Sequence, residues 1–151
     1  MPVIENTVLN RLQVVIAQDY TAGFSGYDLS ATGSVTVGAV DLSGVIPSAS
    51  IIYVDTVEKQ GRSLGRYTGD MRFQILAFAG GVSLSDRVTN ALDLAGDISK
   101  SVTSDRSLGL SGTIEDVLIS RTALDGQEMG IPAVGIAMME LSVTFSNQFG
   151  V

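Results

Sequence analysis

The feature that most constrains the fold of this chain is a strictly alternating segment close to its C-terminal end. From residue 137 onward, apolar side chains recur at every second position, and they are Ala137, Met139, Leu141, Val143 and Phe145. Successive side chains of a β-strand point to opposite faces, so this period of two predicts a strand with one apolar and one polar face. Such a strand belongs in a sheet whose apolar face is covered by other elements.

A second alternating segment spans residues 67–78. Its apolar positions, which include Met71 and Phe73, lie on one face, and the polar residues between them lie on the other. The preceding residues 50–58 are rich in β-branched and aromatic side chains, which also favours a strand. Because the polar residues 59–66 join the two segments, we expect an antiparallel hairpin with a long tip.

Residues 5–19 and 83–102 carry the pattern of amphipathic helices, in which apolar residues recur at spacings of three and four. In the second helix these positions are Leu84, Val88, Ala91, Leu92, Ala95, Ile98 and Val102. Residues 113–122 favour a further strand, and residues 34–40 alternate weakly. The predicted order is therefore helix, weak strand, strand, strand, helix, strand, strand.

The economical packing of these elements is an α+β fold, in which an antiparallel sheet carries both helices on one face. The length of 151 residues suits one domain over residues 1–151. The residues expected to be buried are Met71, Phe73, Ile75, Val88, Leu92, Ile98, Leu141, Val143 and Phe145.

Residues 21–49 differ in composition, because Gly, Ser, Ala and Thr dominate them and Asp28 and Asp41 are their only charged residues. The segment is too long for an ordinary connection and has few side chains that would anchor it. We therefore expect an extended loop or hairpin that projects from the folded body and ends at Pro47, where a strand begins.

The chain contains no cysteine and no histidine. This excludes disulfides, cysteine nucleophiles, Ser-His-Asp triads and histidine-based zinc sites. The chain has nine Lys and Arg residues and 16 Asp and Glu residues, so its net charge is −7. A protein with this charge is not expected to bind nucleic acid through the phosphates. No apolar run approaches the roughly 20 residues that a membrane-spanning helix needs. We expect no catalytic centre, no cofactor and no membrane partner.

Four side chains that carry oxygen ligands line up on the second predicted helix: Asp86, Asn90, Asp93 and Asp97. Oxygen ligands suit a divalent cation. A solvent-exposed acidic face explains the same spacing, and no further ligands are indicated elsewhere. We therefore expect a solvated face and no metal site.

Residues 59–66 concentrate positive charge in an acidic chain, because Lys59, Arg62 and Arg66 occur there without a carboxylate. The segment lacks the Gly-Lys-Ser/Thr ending of a phosphate-binding loop. A docking element for a complementary surface is the better interpretation. Together with Arg72, these residues form a candidate interface with a partner, and the loop is expected to project.

Taken in order, these elements resemble the tail terminator, or tail completion, proteins of long-tailed bacteriophages. The resemblance is carried by the helix 5–19, the strand entry Pro47-Ser48-Ala49-Ser50-Ile51-Ile52, the hairpin segment 72–78, the helix 86–98 and the strand 140–145. The resemblance lies in the order and pattern of the elements over most of the chain, and the Gly/Ser-rich residues 21–46 do not share it.

The resemblance implies a structural virion protein whose copies form a ring, a hexamer in this family, on the last ring of the tail tube. This ring stops tube polymerisation and presents a surface for head joining. The implied partners are further copies of the chain, the tail tube protein and the head–tail connector or neck protein, while DNA passes through without specific binding. The implied location is the neck-proximal end of the virion tail, after assembly in the host cytoplasm.

Other functions fit the same sequence. Another neck component or a tail-tube subunit belongs to the same structural class. A small cytoplasmic α+β module that binds a ligand or regulates a partner belongs to a different class, and an enzyme acting through carboxylates is a third possibility. A tail component should form closed rings or cap tubes, whereas a ligand-binding module should be a monomer or dimer whose melting temperature shifts with a small molecule.

Overall fold

A computed structural model of the chain describes residues 4–18, 28–30, 35–38, 47–60, 66–81, 83–104, 106, 108–110, 114–125 and 134–148. Among these residues are two helices, α1 (Ile4–Ile16) and α2 (Leu84–Ser104). The strands are β1 (Val35–Val37), β2 (Ser48–Gln60), β3 (Arg66–Gly80), β4 (Ile114–Asp125) and β5 (Val134–Gln148). The fold is α+β, and the elements follow the predicted order.

The five strands form one sheet in the order β1-β2-β3-β5-β4. The four long strands are antiparallel to their neighbours, as predicted. The prediction of a wholly antiparallel sheet is wrong at β1, which runs parallel to β2. Alternation in a sequence indicates a strand but not its direction, and β1 has only three residues with which to specify a neighbour.

Both helices pack on the same face of the sheet. Val8, Leu12 and Ile16 of α1 share one buried cluster with Phe73 and Leu141 of the sheet. α2 lies across β3, β5 and β4, while α1 contacts α2, β1 and β2. The alternating apolar residues of β5 all face the helices and are at most 1% exposed: Ala137, Met139, Leu141, Val143 and Phe145.

The buried side of α2 differs from the predicted stripe. Leu92 was expected in the core but is 38% exposed, and Val88 is only half-buried. Leu94 and Asp97 are buried instead, at 0% and 2% exposure. α2 contacts both the sheet and α1, so its buried arc is set by two surfaces and not by the apolar spacing alone.

Two glycines allow α2 to lie very close to the sheet. A Cβ atom at Gly135 of β5 would lie 2.0 Å from the carbonyl oxygen of Arg87 in α2. A Cβ atom at Gly81 would lie 2.8 Å from the backbone nitrogen of the same residue. Both distances are too short for a side chain, so glycine at these positions sets the spacing between helix and sheet.

The described parts of the segment 21–49 pack against the body. Leu29 is fully buried and Val35 is 6% exposed. Gln13 of α1 donates from Nε2 to the carbonyl oxygen of Val35 over 3.1 Å. The prediction that the segment projects is therefore wrong for these residues, because a few apolar side chains suffice to anchor them in the core. The rest of the segment and residues 61–65 of the basic loop lie outside the described residues.

Two leucines on opposite faces of the sheet provide a test of this core. Leu141 is 1% exposed and Leu118 is 57% exposed. Leu141→Ala should lower the free energy of unfolding by about 2–5 kcal/mol, through lost burial and a residual cavity. The control Leu118→Ala should change it by less than about 0.5 kcal/mol, as expected for a surface site. Equal losses in urea unfolding of the two variants would contradict the assignment of the strand faces.

Candidate functional site

The face of the sheet opposite α1 and α2, on which no helix of the described residues packs and which we call the helix-free face, has a shallow depression of about 340 Å³. The side chains at its surface include Val54, Arg72, Gln74, Leu118, Glu140 and Ser142. Most of these residues occupy the alternate strand positions that the helices do not cover. The depression is thus a direct product of the period-two pattern in β3 and β5.

Cross-strand register sets the layout of the depression. Glu140 of β5 lies opposite Gln74 of β3 on one side and Ser120 of β4 on the other. The two flanks are apolar, because Val54 is 46% exposed and Leu118 is 57% exposed. A polar floor between apolar flanks is suited to contact with another polypeptide, which presents both kinds of group.

A charged pair stands at the β2 side of the depression. An irregularity in β2 between Tyr53 and Asp55 brings Asp55 opposite Arg72 of β3. Arg72 donates from Nε to Oδ1 of Asp55 over 2.6 Å, and its terminal nitrogen donates to Oδ2. This side-chain hydrogen bond holds the pKa of Asp55 below its ordinary value and raises the pKa of Arg72. The guanidinium of Arg72 is therefore paired within its own subunit.

The structure separates the four residues of the predicted interface. Lys59 and Arg66 lie near the same end of the β2–β3 hairpin, at backbone positions opposite Thr68 and Gln148. Arg72 lies further along β3 on the helix-free face, and Arg62 lies outside the described residues. The interface that these residues were predicted to form stays a prediction.

The borders of the sheet hold exposed apolar residues that the sequence analysis did not single out. β4 is one border, and at the other β1 pairs only with residues 49–51 of β2. Within the described part of the chain, residues 52–60 of β2 have no partner on their outer side. We call these residues and β4 the two open edges.

Four of the seven exposed large apolar residues of the described chain lie on the open edges, namely Tyr53, Val54 and Val57 on β2 and Leu118 on β4. In sequence they look like ordinary strand residues. Only the strand order shows that no further strand of the described residues lies beside them, so no local signal could have identified them.

The predicted acidic face of α2 is only partly solvated. Asp86 and Asp93 are exposed, whereas Asp97 is 2% exposed. The prediction is wrong at Asp97 because that position lies on the buried arc of the helix. Asn90 donates from Nδ2 to the carbonyl oxygen of Gly80 over 2.9 Å, which ties α2 to the end of β3.

In the described ranges, no three acidic side chains come together as a metal site would require. No described helix is long and apolar enough to cross a membrane.

In comparisons with known proteins, neither a family model nor a curated sequence matches the chain. The site must therefore be interpreted from its own geometry, which combines a shallow polar depression with two open edges.

The Asp55–Arg72 pair predicts a specific pH dependence. A carboxyl whose folded pKa is depressed stabilises the fold above its unfolded pKa, about 3.9, and this contribution is lost as the pH falls through the folded pKa. In an NMR titration of side-chain carboxyl carbons, Asp55 should titrate below ordinary aspartates. Arg72→Gln should raise its midpoint toward the ordinary value.

Asp28 is the internal control for this titration. Its pKa is lowered by the hydroxyl and amide of Ser30, not by an arginine. Its midpoint should therefore stay unchanged in Arg72→Gln. An unchanged Asp55 midpoint in the variant would show that the pair does not form in solution.

Proposed function

We propose that this chain is a structural virion protein whose copies form a ring on the end of a phage tail tube. The ring ends tube polymerisation and provides the surface for head joining. Its partners are further copies of the chain, the tube protein and a neck or connector protein. The family that the sequence resembles forms hexamers, so six subunits are the ring number we propose.

The observation that carries the proposal is the pair of open edges with exposed apolar side chains. A subunit in a ring contacts one copy on each side through two different surfaces, which do not need to resemble each other. β4 and residues 52–60 of β2 lie at opposite borders of one sheet. Unpaired strand borders with apolar side chains are favourable sites for pairing with another chain.

Charge supports the same proposal. The net charge is −7 per subunit, so a closed ring would present a strongly negative field to a polyanion in its channel. DNA would be repelled from the walls and would pass without being held.

A second candidate function rests on the depression itself. Its volume of about 340 Å³ is at the lower end of the range of small-molecule sites, about 300–1,000 Å³. A ligand-binding module would use this depression as a monomer or dimer, and its melting temperature would rise in a screen of small polar molecules.

Direct observation of assembly separates the two functions. We expect the purified full chain to form closed rings with a central channel in negative-stain electron microscopy, at concentrations where sedimentation shows a single large species. A chain that stays monomeric at every concentration, and that does not cap purified tail tubes, would contradict the proposed function.

The basic loop offers a more specific test. The sequence predicts that Arg62 and Arg66 are exposed, and exposed charges contribute little to stability. Arg62→Glu/Arg66→Glu should therefore leave the melting temperature nearly unchanged. It should weaken ring formation or tube capping, seen in electron micrographs as tails of uncontrolled length. Ser85→Glu/Thr89→Glu, at two exposed positions of α2, is the control for added negative charge and should assemble normally. Normal rings and tail lengths in the double variant would remove these arginines from the interface.

A further inference from the structure

We propose that the ring is closed by strand pairing, with residues 56–59 of β2 in one copy antiparallel to residues 116–119 of β4 in the next. In this register Val57 lies opposite Leu118 across the boundary between the two copies. The inference rests on the proposed function and specifies the contact that the function requires.

Strand direction permits this pairing without any rearrangement of the subunit. β2 is antiparallel to β3, β3 to β5 and β5 to β4. Three reversals leave β2 and β4 running in opposite directions. When β4 of one copy lies beside β2 of the next in the same sheet, the two strands are antiparallel and the ladder continues across the boundary.

Each open edge contains a regular stretch long enough for the proposed pairing. The irregularity in β2 lies between Tyr53 and Asp55, and the one in β4 lies between Ile114 and Asp116. Residues 56–60 and 116–125 are therefore uninterrupted. The proposed pairing uses only these regular stretches, so neither irregularity disturbs its hydrogen bonds.

The exposed apolar residues specify the register. Val57 lies opposite Asp70 in its own sheet and Leu118 lies opposite Ser142, which places both on the helix-free face. They are 49% and 57% exposed. Pairing them buries two apolar side chains against each other, whereas a slip by one residue would place Val57 opposite a helix-facing residue.

Charge agrees with the same register. With Val57 opposite Leu118, the backbone position of Lys59 lies opposite that of Asp116, and residues of opposite charge at facing positions favour a strand pair. Among the described residues, Oδ1 of Asp116 lies 3.0 Å from Nε of Arg106 and accepts from the amide of Val117 over 2.9 Å. A shift by two residues would place Lys59 opposite Leu118 and lose both matches.

The absence of cysteine from the chain makes the pairing directly testable. Facing residues of an antiparallel pair have Cβ atoms about 4.5–5.5 Å apart, close to the roughly 3.5–4.5 Å of a disulfide. Mild oxidation of assembled Val57→Cys/Leu118→Cys should give a reducible ladder of covalent oligomers on a denaturing gel. Val57→Cys/Glu115→Cys is the matched control, because the second thiol is out of register, and it should give no ladder.

Three results of these experiments would overturn the proposed pairing. Normal rings with no cross-link above the control would overturn the pairing and leave the proposed function standing. A covalent dimer from Leu118→Cys alone would place β4 against β4 and would also overturn it. A protein that stays monomeric at all concentrations and does not bind tail tubes would overturn both the pairing and the proposed function.

A second variant tests the open edge without cysteines. A lysine on a strand border opposes pairing between sheet edges. Leu118→Lys should therefore raise the protein concentration at half-maximal self-association by at least about tenfold. Leu92→Lys is the matched control, because Leu92 is an exposed leucine of α2 and belongs to neither open edge. Equal association of the two variants, with equal melting temperatures, would contradict the proposed contact.

Discussion

Strand β5 pairs with β3 along one side and with β4 along the other, and this double ladder is the constraint on which the rest of the structure depends. Alternate residues of β5 face opposite sides of the sheet. Leu141 and its apolar neighbours pack in one cluster with residues of α2, while Glu140 lies on the floor of the depression. The core and the candidate site therefore share one strand, and a slip of β5 by one residue would exchange them.

The faces of β3 and β5 could be predicted because a half-buried strand must alternate, and the buried Phe73 and exposed Arg72 confirm it for the middle of β3. The alternation fails near the start of β5, where Ile136 is buried on the opposite face. In α2, which contacts both the sheet and α1, the apolar spacing does not predict that Asp97 is buried and Leu92 exposed. The direction of β1 and the order of the strands depend on contacts between distant segments. No local pattern contains that information.

The candidate site was predictable only in part, for the same physical reason. Composition identified the basic residues 59–66, but nothing local indicates the irregularity at Tyr53–Asp55 that pairs Asp55 with Arg72. Val57 and Leu118 have the residue types of covered strands. Their exposure becomes visible only when β4 and the outer side of β2 are known to be the borders of the sheet.

The central claim is that copies of the chain complete each other's sheet at the open edges. Amide hydrogen exchange of the full chain, compared between a dilute and an assembled sample, tests it most directly, because hydrogen bonding of an amide slows its exchange. We expect amides in residues 56–59 and 116–119 to gain protection on assembly, while those of β5 are protected in both samples. An assembled sample in which both open edges exchange as fast as in the dilute protein would contradict the claim.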